Sequence, residues 1–280
     1  MHALGRAFFS SIYMNISRIL EPNAVVPRWQ IAAWAGLWLS SFLLVWALGS
    51  ATVLPTPPDV LHAFRSLVLE QGLLRHLASS LYTSLLALAW ATALSTALCY
   101  SAVLPALRPL VTLVGNLRFW GFAGISVAFT LWFHGGRDLK VALLTFGMTG
   151  FFVTSLRDEL RAIPKERYDY ARALGMSEWR VVWEVVILGT FDKVLDLVRQ
   201  NAAMGWMLLT MVETLVRSEG GIGVLLANQS KHLQLAQIAA LQIVVFALGL
   251  AQDRVLVGLK RLLCPWSFLK VEDERHGRQL

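Results

Sequence analysis

An all-α integral membrane protein with about six transmembrane helices and one polar hairpin on its inner face is the fold class this sequence predicts. Hydrophobic residues make up 56% of the 280-residue chain and charged residues only 15%. That is too apolar for a soluble domain of this size, so the bilayer is the expected solvent. Charge-free runs are long: 30 residues separate Arg28 from Asp59, and 31 separate His76 from Arg108. Each exceeds the roughly 20 residues that span a hydrocarbon core. Against this background Pro164 to Leu188 is a long charged amphipathic insertion.

In chain order, residues 1–28 mix Phe8, Phe9, Ile12, Ile16 and Ile19 with Arg6 and Arg18, the composition of an amphipathic segment on the inner surface. A transmembrane domain is expected over 29–266 and a polar tail over 267–280. After the first span, Pro55, Pro57 and Pro58 mark an outer turn. Asp59 is placed to cap a short helix running to about Glu70, with Leu61, Phe64, Leu67 and Val68 as its apolar residues. The second span is rich in small and hydroxyl residues: Ser80, Ser84, Ala87, Ala91 and Ser95 suit close helix packing in lipid. Shorter apolar runs at 119–136, 141–156, 200–216 and 233–252 supply the remaining spans.

The net charge of +7 does not point to nucleic acid, because the basic residues sort by side. With the N-terminus inside, nineteen of the 25 Lys and Arg fall in cytoplasmic segments. The outer segments hold Arg65, Arg75, Arg137, Lys140, Arg217 and Lys231. This asymmetry sets the orientation and puts the insertion over 158–190 in the cytoplasm. Pro164 suits a first helical position, Glu166 favours the N-terminal end of the helix dipole, and Gly175 ends the helix. Ser177 is placed to cap a second helix, in which Trp179, Val182, Trp183 and Val186 share a face.

Asp169-Tyr170-Ala171, Gly175 six residues after Asp169, and then Val185-Val186-Ile187 resemble the cytoplasmic coupling loop of ABC-importer permeases. The family pattern is Glu-Ala-Ala, three residues, Gly, nine residues, Ile-x-Leu-Pro. Here Asp169 replaces the Glu, Tyr170 the first Ala and Leu188 the Pro, with Gly189 following. Leu54-Pro55-Thr56-Pro57, Leu131-Trp132-Phe133, Gly221-Ile222-Gly223 and Asp253-Arg254 resemble further segments of the nitrate, sulfonate and taurine branch. The resemblance implies a type I ABC importer permease fold with a cytoplasmic coupling helix. Asp169, Tyr170, Ala171, Arg172 and Gly175 would engage a cytoplasmic ABC ATPase dimer. It also implies a second permease copy or a homologous permease, an extracytoplasmic substrate-binding protein, a small solute that in this branch is an anion, and a bacterial inner-membrane location. The family's prolines before the Leu-Trp-Phe segment are absent, and glycines and aromatics stand there instead, which changes the expected substrate path. Within that segment Phe122, Ser126 and Thr130, together with Glu213, are the candidates for path or gate.

Glu213 is the one acidic residue inside an apolar run, and such a group either faces a cavity or partner or lies near enough to the interface to be hydrated. Cys99 and Cys264 are 165 residues apart and define neither a disulfide framework nor a metal motif. There is no phosphate-binding Gly-x-x-x-x-Gly-Lys-Ser/Thr loop, so ATP and Mg are expected on the partner ATPase, with no cofactor and no catalysis in this chain. A secondary transporter and a non-transporting membrane scaffold share the gross features. Co-purification of an ATPase separates the first from an importer, and substrate-stimulated hydrolysis separates the second.

Overall fold

The computed structural model of the protein describes residues 27–49, 55–133 and 135–267, and every described secondary-structure element is helical. The expected amphipathic segment lies outside the described residues except for its last two positions, and the tail except for Ser267, as do Leu54 and His134. Two compact units are distinguished, Met1–Asp59 and Val60–Leu280.

In the first unit, α1 (Arg28–Gly49) is apolar on all sides, as a membrane span should be. Trp46 Nε1–H donates to the Pro55 carbonyl at 3.1 Å. Helix α2 (Pro57–Leu69) opens with a reciprocal cap. Thr56 donates its N–H and its hydroxyl to Asp59 Oδ2, and the Asp59 N–H faces Thr56 Oγ1 at 3.4 Å. Asp59 therefore acts from the third helical position and Thr56 is the N-cap, a capping box shifted from the arrangement expected. The buried stripe of α2 is Val60, Ala63 and Leu67, whereas Leu61 and Phe64 face outward.

The second unit is built around α6 (Gly136–Arg161), which packs against α3 (Leu73–Ser101), α4 (Arg108–Asn116), α5 (Phe122–Trp132) and α9 (Phe191–Leu215). Helices α10 (Ile222–Lys231) and α11 (Leu235–Leu263) pack on α9 and on each other. The small stripe of α3 is buried as its composition requires: Ser80, Ser84, Ala87, Ala91, Ser95 and Cys99 recur every three or four residues. Glycines on the facing helices serve the same close approach. A Cβ at Gly205 of α9 would sit 3.1 Å from Met148 Cε of α6. One at Gly150 of α6 would sit 3.0 Å from the Arg118 backbone nitrogen.

Among the described residues four helices are long and apolar enough to cross a membrane: Trp29–Ala47 within α1, α3, α6 and α11. A fifth span results if the bent pair Pro105–Phe119 and Gly124–Trp132 counts as one. The six expected spans are thus not all matched. The difference is α9, 25 residues long, whose N-terminal third carries Asp192, Lys193, Asp196 and Arg199. Two of these charges are answered on α11: Arg199 pairs with Asp253, and Lys260 Nζ lies 2.6 Å from Asp196 Oδ1.

Candidate functional site

The polar insertion folds as a hairpin of α7 (Lys165–Ala173) and α8 (Glu178–Val181). Pro164 occupies the N-cap of α7 with extended backbone, one residue earlier than expected. At the other end Gly175 takes φ 75°, the left-handed conformation that glycine adopts without a Cβ penalty. The Met176 N–H reaches the Ala171 carbonyl at 3.3 Å and the Gly175 N–H reaches the Arg172 carbonyl at 2.9 Å. This double bond pattern is a Schellman motif, which fixes the exit direction of the chain.

Ser177 stands at the N-cap of α8, but its side chain makes no capping hydrogen bond. The hairpin is closed instead by Arg172, whose Nε and Nη2 donate to the two carboxylate oxygens of Glu178 at 2.8 and 3.2 Å. The Arg172 guanidinium holds the Glu178 carboxyl below the usual carboxylate range. Arg172 also approaches Asp169 Oδ1 at 3.4 Å.

Beyond α8 the chain does not break at Leu188–Gly189. It changes hydrogen-bond register, through a π turn at Val182–Ile187 and a 3-10 turn at Leu188–Thr190, and runs on into α9. The extra residue in the π turn rotates the pattern. Val181, Val186 and Thr190 are buried, while Trp179 (71% exposed) and Trp183 face out, so of the face expected for this helix Val186 is turned inward and the two tryptophans are not. Thr190 Oγ1 meets the Tyr100 hydroxyl at 3.1 Å and ties the hairpin's end to the C-terminal turn of α3.

The five residues expected at an ATPase contact divide. Asp169, Tyr170 (69% exposed) and Arg172 lie on the outward face of α7, joined by Leu174. Ala171 is buried under the hairpin, so its small side chain serves intramolecular packing, and Gly175 sets the turn.

The second polar constellation holds the turn before α10. Glu213 of α9 is 1% exposed, so the hydrated alternative does not describe it. Ser80 Oγ–H donates to Glu213 Oε1 at 2.6 Å and the Gly223 N–H donates to Oε2 at 2.7 Å. The Ile222 N–H donates to Ser80 Oγ at 2.8 Å, and the Gly221 N–H to His76 Nδ1 at 2.9 Å. Lys140, 2% exposed, donates to the Gly220 carbonyl at 2.5 Å. Three successive N–H groups at the start of α10, which have no partner within the helix, thus take acceptors from α3 and α9. A Cβ at Gly220 would meet the His76 ring at 2.7 Å, one at Gly223 would meet the Thr210 carbonyl oxygen at 2.5 Å, and one at Gly221 would enter the Glu213 carboxylate. Sequence reasoning found Glu213 and the glycines. It missed their partners, which lie up to 145 residues away and leave no local pattern.

Of the other path candidates, Phe122 packs its ring on Gly147 of α6, and Thr130 returns its hydroxyl to the Ser126 carbonyl of its own helix at 2.7 Å. Neither they nor Ser126 share contacts with Glu213 in the hydrogen bonds described. Cys99 and Cys264 are free and buried.

An apolar helical bundle carrying a polar hairpin at one end is the architecture of a multi-pass membrane protein. The sequence pattern of a family described as "Binding-protein-dependent transport system inner membrane component" matches residues 31–259. The chain therefore belongs to that family, and it is the multi-pass inner-membrane permease subunit of an ATP-driven ABC importer. It is 27% identical to the taurine transport system permease protein TauC of Escherichia coli (strain K12), over 81% of this chain and 87% of the relative. It is 23% identical to the protein of Bacillus subtilis (strain 168) named "Putative aliphatic sulfonates transport permease protein SsuC", over 89% and 86%. The E. coli protein of the same name is 26% identical over 88% and 90%.

Proposed function

We propose that this permease passes small sulfonates inward and that α7 is its coupling helix, received by a cytoplasmic ABC ATPase dimer. ATP and Mg are held by that ATPase. Two permeases, identical or homologous, flank one path, and an extracytoplasmic binding protein delivers the solute. Both termini lie in the cytoplasm, the side that takes most of the Lys and Arg. The relatives' names, taurine and aliphatic sulfonates, support the substrate class.

The observation that carries the coupling role is an exposed apolar edge on a hairpin that is itself tied down. Ala171 is buried, and the Schellman turn and the Tyr100–Thr190 bond fix the two ends of the hairpin, while Tyr170 and Leu174 remain exposed. With Ala171, Glu184, Val185 and Gly189 they line a notch of about 260 Å³. Exposed aromatic and apolar residues around a notch are the usual anchors of a protein contact. A push on such a rigid element moves α9 and α3 with it.

The test is reconstitution with the ATPase and binding protein in vesicles. Tyr170→Asp and Leu174→Asp should reduce sulfonate uptake at least tenfold, the effect of about 1.4 kcal/mol lost from the dock, without lowering thermal stability. Wild-type uptake per ATP in both variants would remove α7 from the coupling contact.

A further inference from the structure

At the end of the bundle opposite the hairpin, the N-terminal turns of α3, the first turn of α6 and the turn before α10 border an open cavity of about 660 Å³. It is lined by Arg75, His76, Ser79, Tyr82, Arg137 and Glu219. The volume lies within the roughly 300–1,000 Å³ of small-molecule sites. Two arginines line it, on the side where the charge pattern keeps cations scarce. Arg75 and Arg137 are two of only six Lys and Arg assigned to the outer segments.

The pairing inside the cavity is incomplete. Arg137 lies 3.4 Å from Glu219 and sits over the Tyr82 ring, 5.2 Å from its centroid. This contact leaves guanidinium N–H groups of Arg137 unused. The Arg75 guanidinium has no hydrogen bond or ion pair among the described residues, and neither do the Ser79 and Tyr82 hydroxyls. His76 accepts the Gly221 N–H at Nδ1. Its neutral ring therefore carries the proton on Nε2, a further donor without a described partner. Glu219 is the only carboxylate in the lining, so the cavity carries a net positive charge and an excess of donors over acceptors. Planar guanidinium forks with hydroxyl donors match a tetrahedral or trigonal oxyanion.

From this geometry we infer that the cavity is an entry site for the sulfonate end of the solute, with Arg75 and Arg137 as its charge-bearing ligands and His76, Ser79 and Tyr82 as additional donors. This rests on the sulfonate reading above and adds to it the first contact made after the binding protein. It also gives His76 two tasks, because the ring that faces the anion is fixed by the same glycine turn that Glu213 and Lys140 hold. Occupancy of the cavity is thereby joined to the buried polar core of the bundle.

The test uses the full transporter carrying Ser79→Cys, with the unaltered chain as a blank, since Cys99 and Cys264 are buried. The thiol is modified with the anionic sulfonatoethyl and the cationic trimethylammonioethyl methanethiosulfonates. The anionic reagent should react faster relative to the cationic one than with a free thiol. Arg75→Gln should lower that ratio about threefold and Arg75→Lys should preserve it, as expected for one charge roughly 6 Å away in water. Methanesulfonate and inorganic sulfate at millimolar concentration should slow labelling with arginine at position 75 and not with glutamine.

A ratio no higher than that of a free thiol, no reaction with either reagent, or protection by the binding protein but not by free anions would overturn the site. Sulfonate uptake by the unaltered transporter separates the two readings. Uptake without protection sinks the entry site alone, whereas protection by sulfate without sulfonate uptake sinks the substrate assignment and leaves the anion site standing.

Discussion

Glu213 illustrates what one buried carboxylate does when every acceptor is used. Its two oxygens take the Ser80 hydroxyl and the Gly223 N–H, and the cation nearest in function, Lys140, holds the same turn through the Gly220 carbonyl. Glu213→Gln replaces one acceptor oxygen by an NH2 that faces a donor, so it should cost about 1–3 kcal/mol, the penalty of leaving a buried group unpaired. A thermal unfolding series of the purified complex checks this, and an unchanged midpoint would contradict it. Gly221→Ala should be at least as damaging, because φ is 127° there and the new Cβ enters the carboxylate. At this scale the sequence is half legible. An acid in an apolar run and a Gly-Gly-Ile-Gly turn announce themselves, whereas Ser80 reads only as one more small residue and His76 as one of several scattered histidines. What joins them is helix packing across more than 130 residues, which no local pattern encodes.

The hairpin is the element whose internal logic was most open to sequence reasoning. Its stop signal at Gly175, the acidic first turn and the exposed polar face follow from local rules. Two features did not: the burial of Ala171, and the π turn over Val182–Ile187, across which Val181 and Val186 are buried while Trp179 and Trp183, expected on one face with Val186, are exposed. Helical periodicity assumes a constant 3.6-residue repeat, and one inserted residue breaks that assumption. Gly175→Ala should strain the Schellman turn by about 1 kcal/mol, since no neighbour lies within 4 Å of the added Cβ and only φ opposes it. Faster hydrogen exchange at Met176 would report it. The Arg172–Glu178 pair behaves differently with pH. The Glu178 carboxyl is depressed, so its contribution is fully present above the ordinary carboxylate pKa and is lost as pH falls through the lowered value. Exchange at residues 172–178, corrected for intrinsic rates, should stay flat from neutral pH to about 5 and quicken below about 4. In Glu178→Gln that step should be absent.

Across the whole molecule, composition and charge sidedness were enough to name the fold class. By length and composition α9 does not pass as a clear span, because it joins a charged third, in which Arg199 and Asp196 are paired with Asp253 and Lys260 of α11, to an apolar remainder. A charge-free run is a sufficient sign of a span and not a necessary one when partner helices supply counter-charges. The transport cycle then needs a lever. Reversing a 1:99 equilibrium between inward and outward openings takes about 5.5 kcal/mol of differential interaction. The anchored hairpin is the lever proposed here, and its contact with the ATPase is the central claim. The most direct measurement places a cysteine at Asp169→Cys and cross-links it with a short bifunctional reagent in the assembled transporter. The account predicts a single adduct to the ATPase subunit whose yield changes when ATP binds. Adducts only to lipid or to another permease, with the ATPase bound elsewhere, would contradict it.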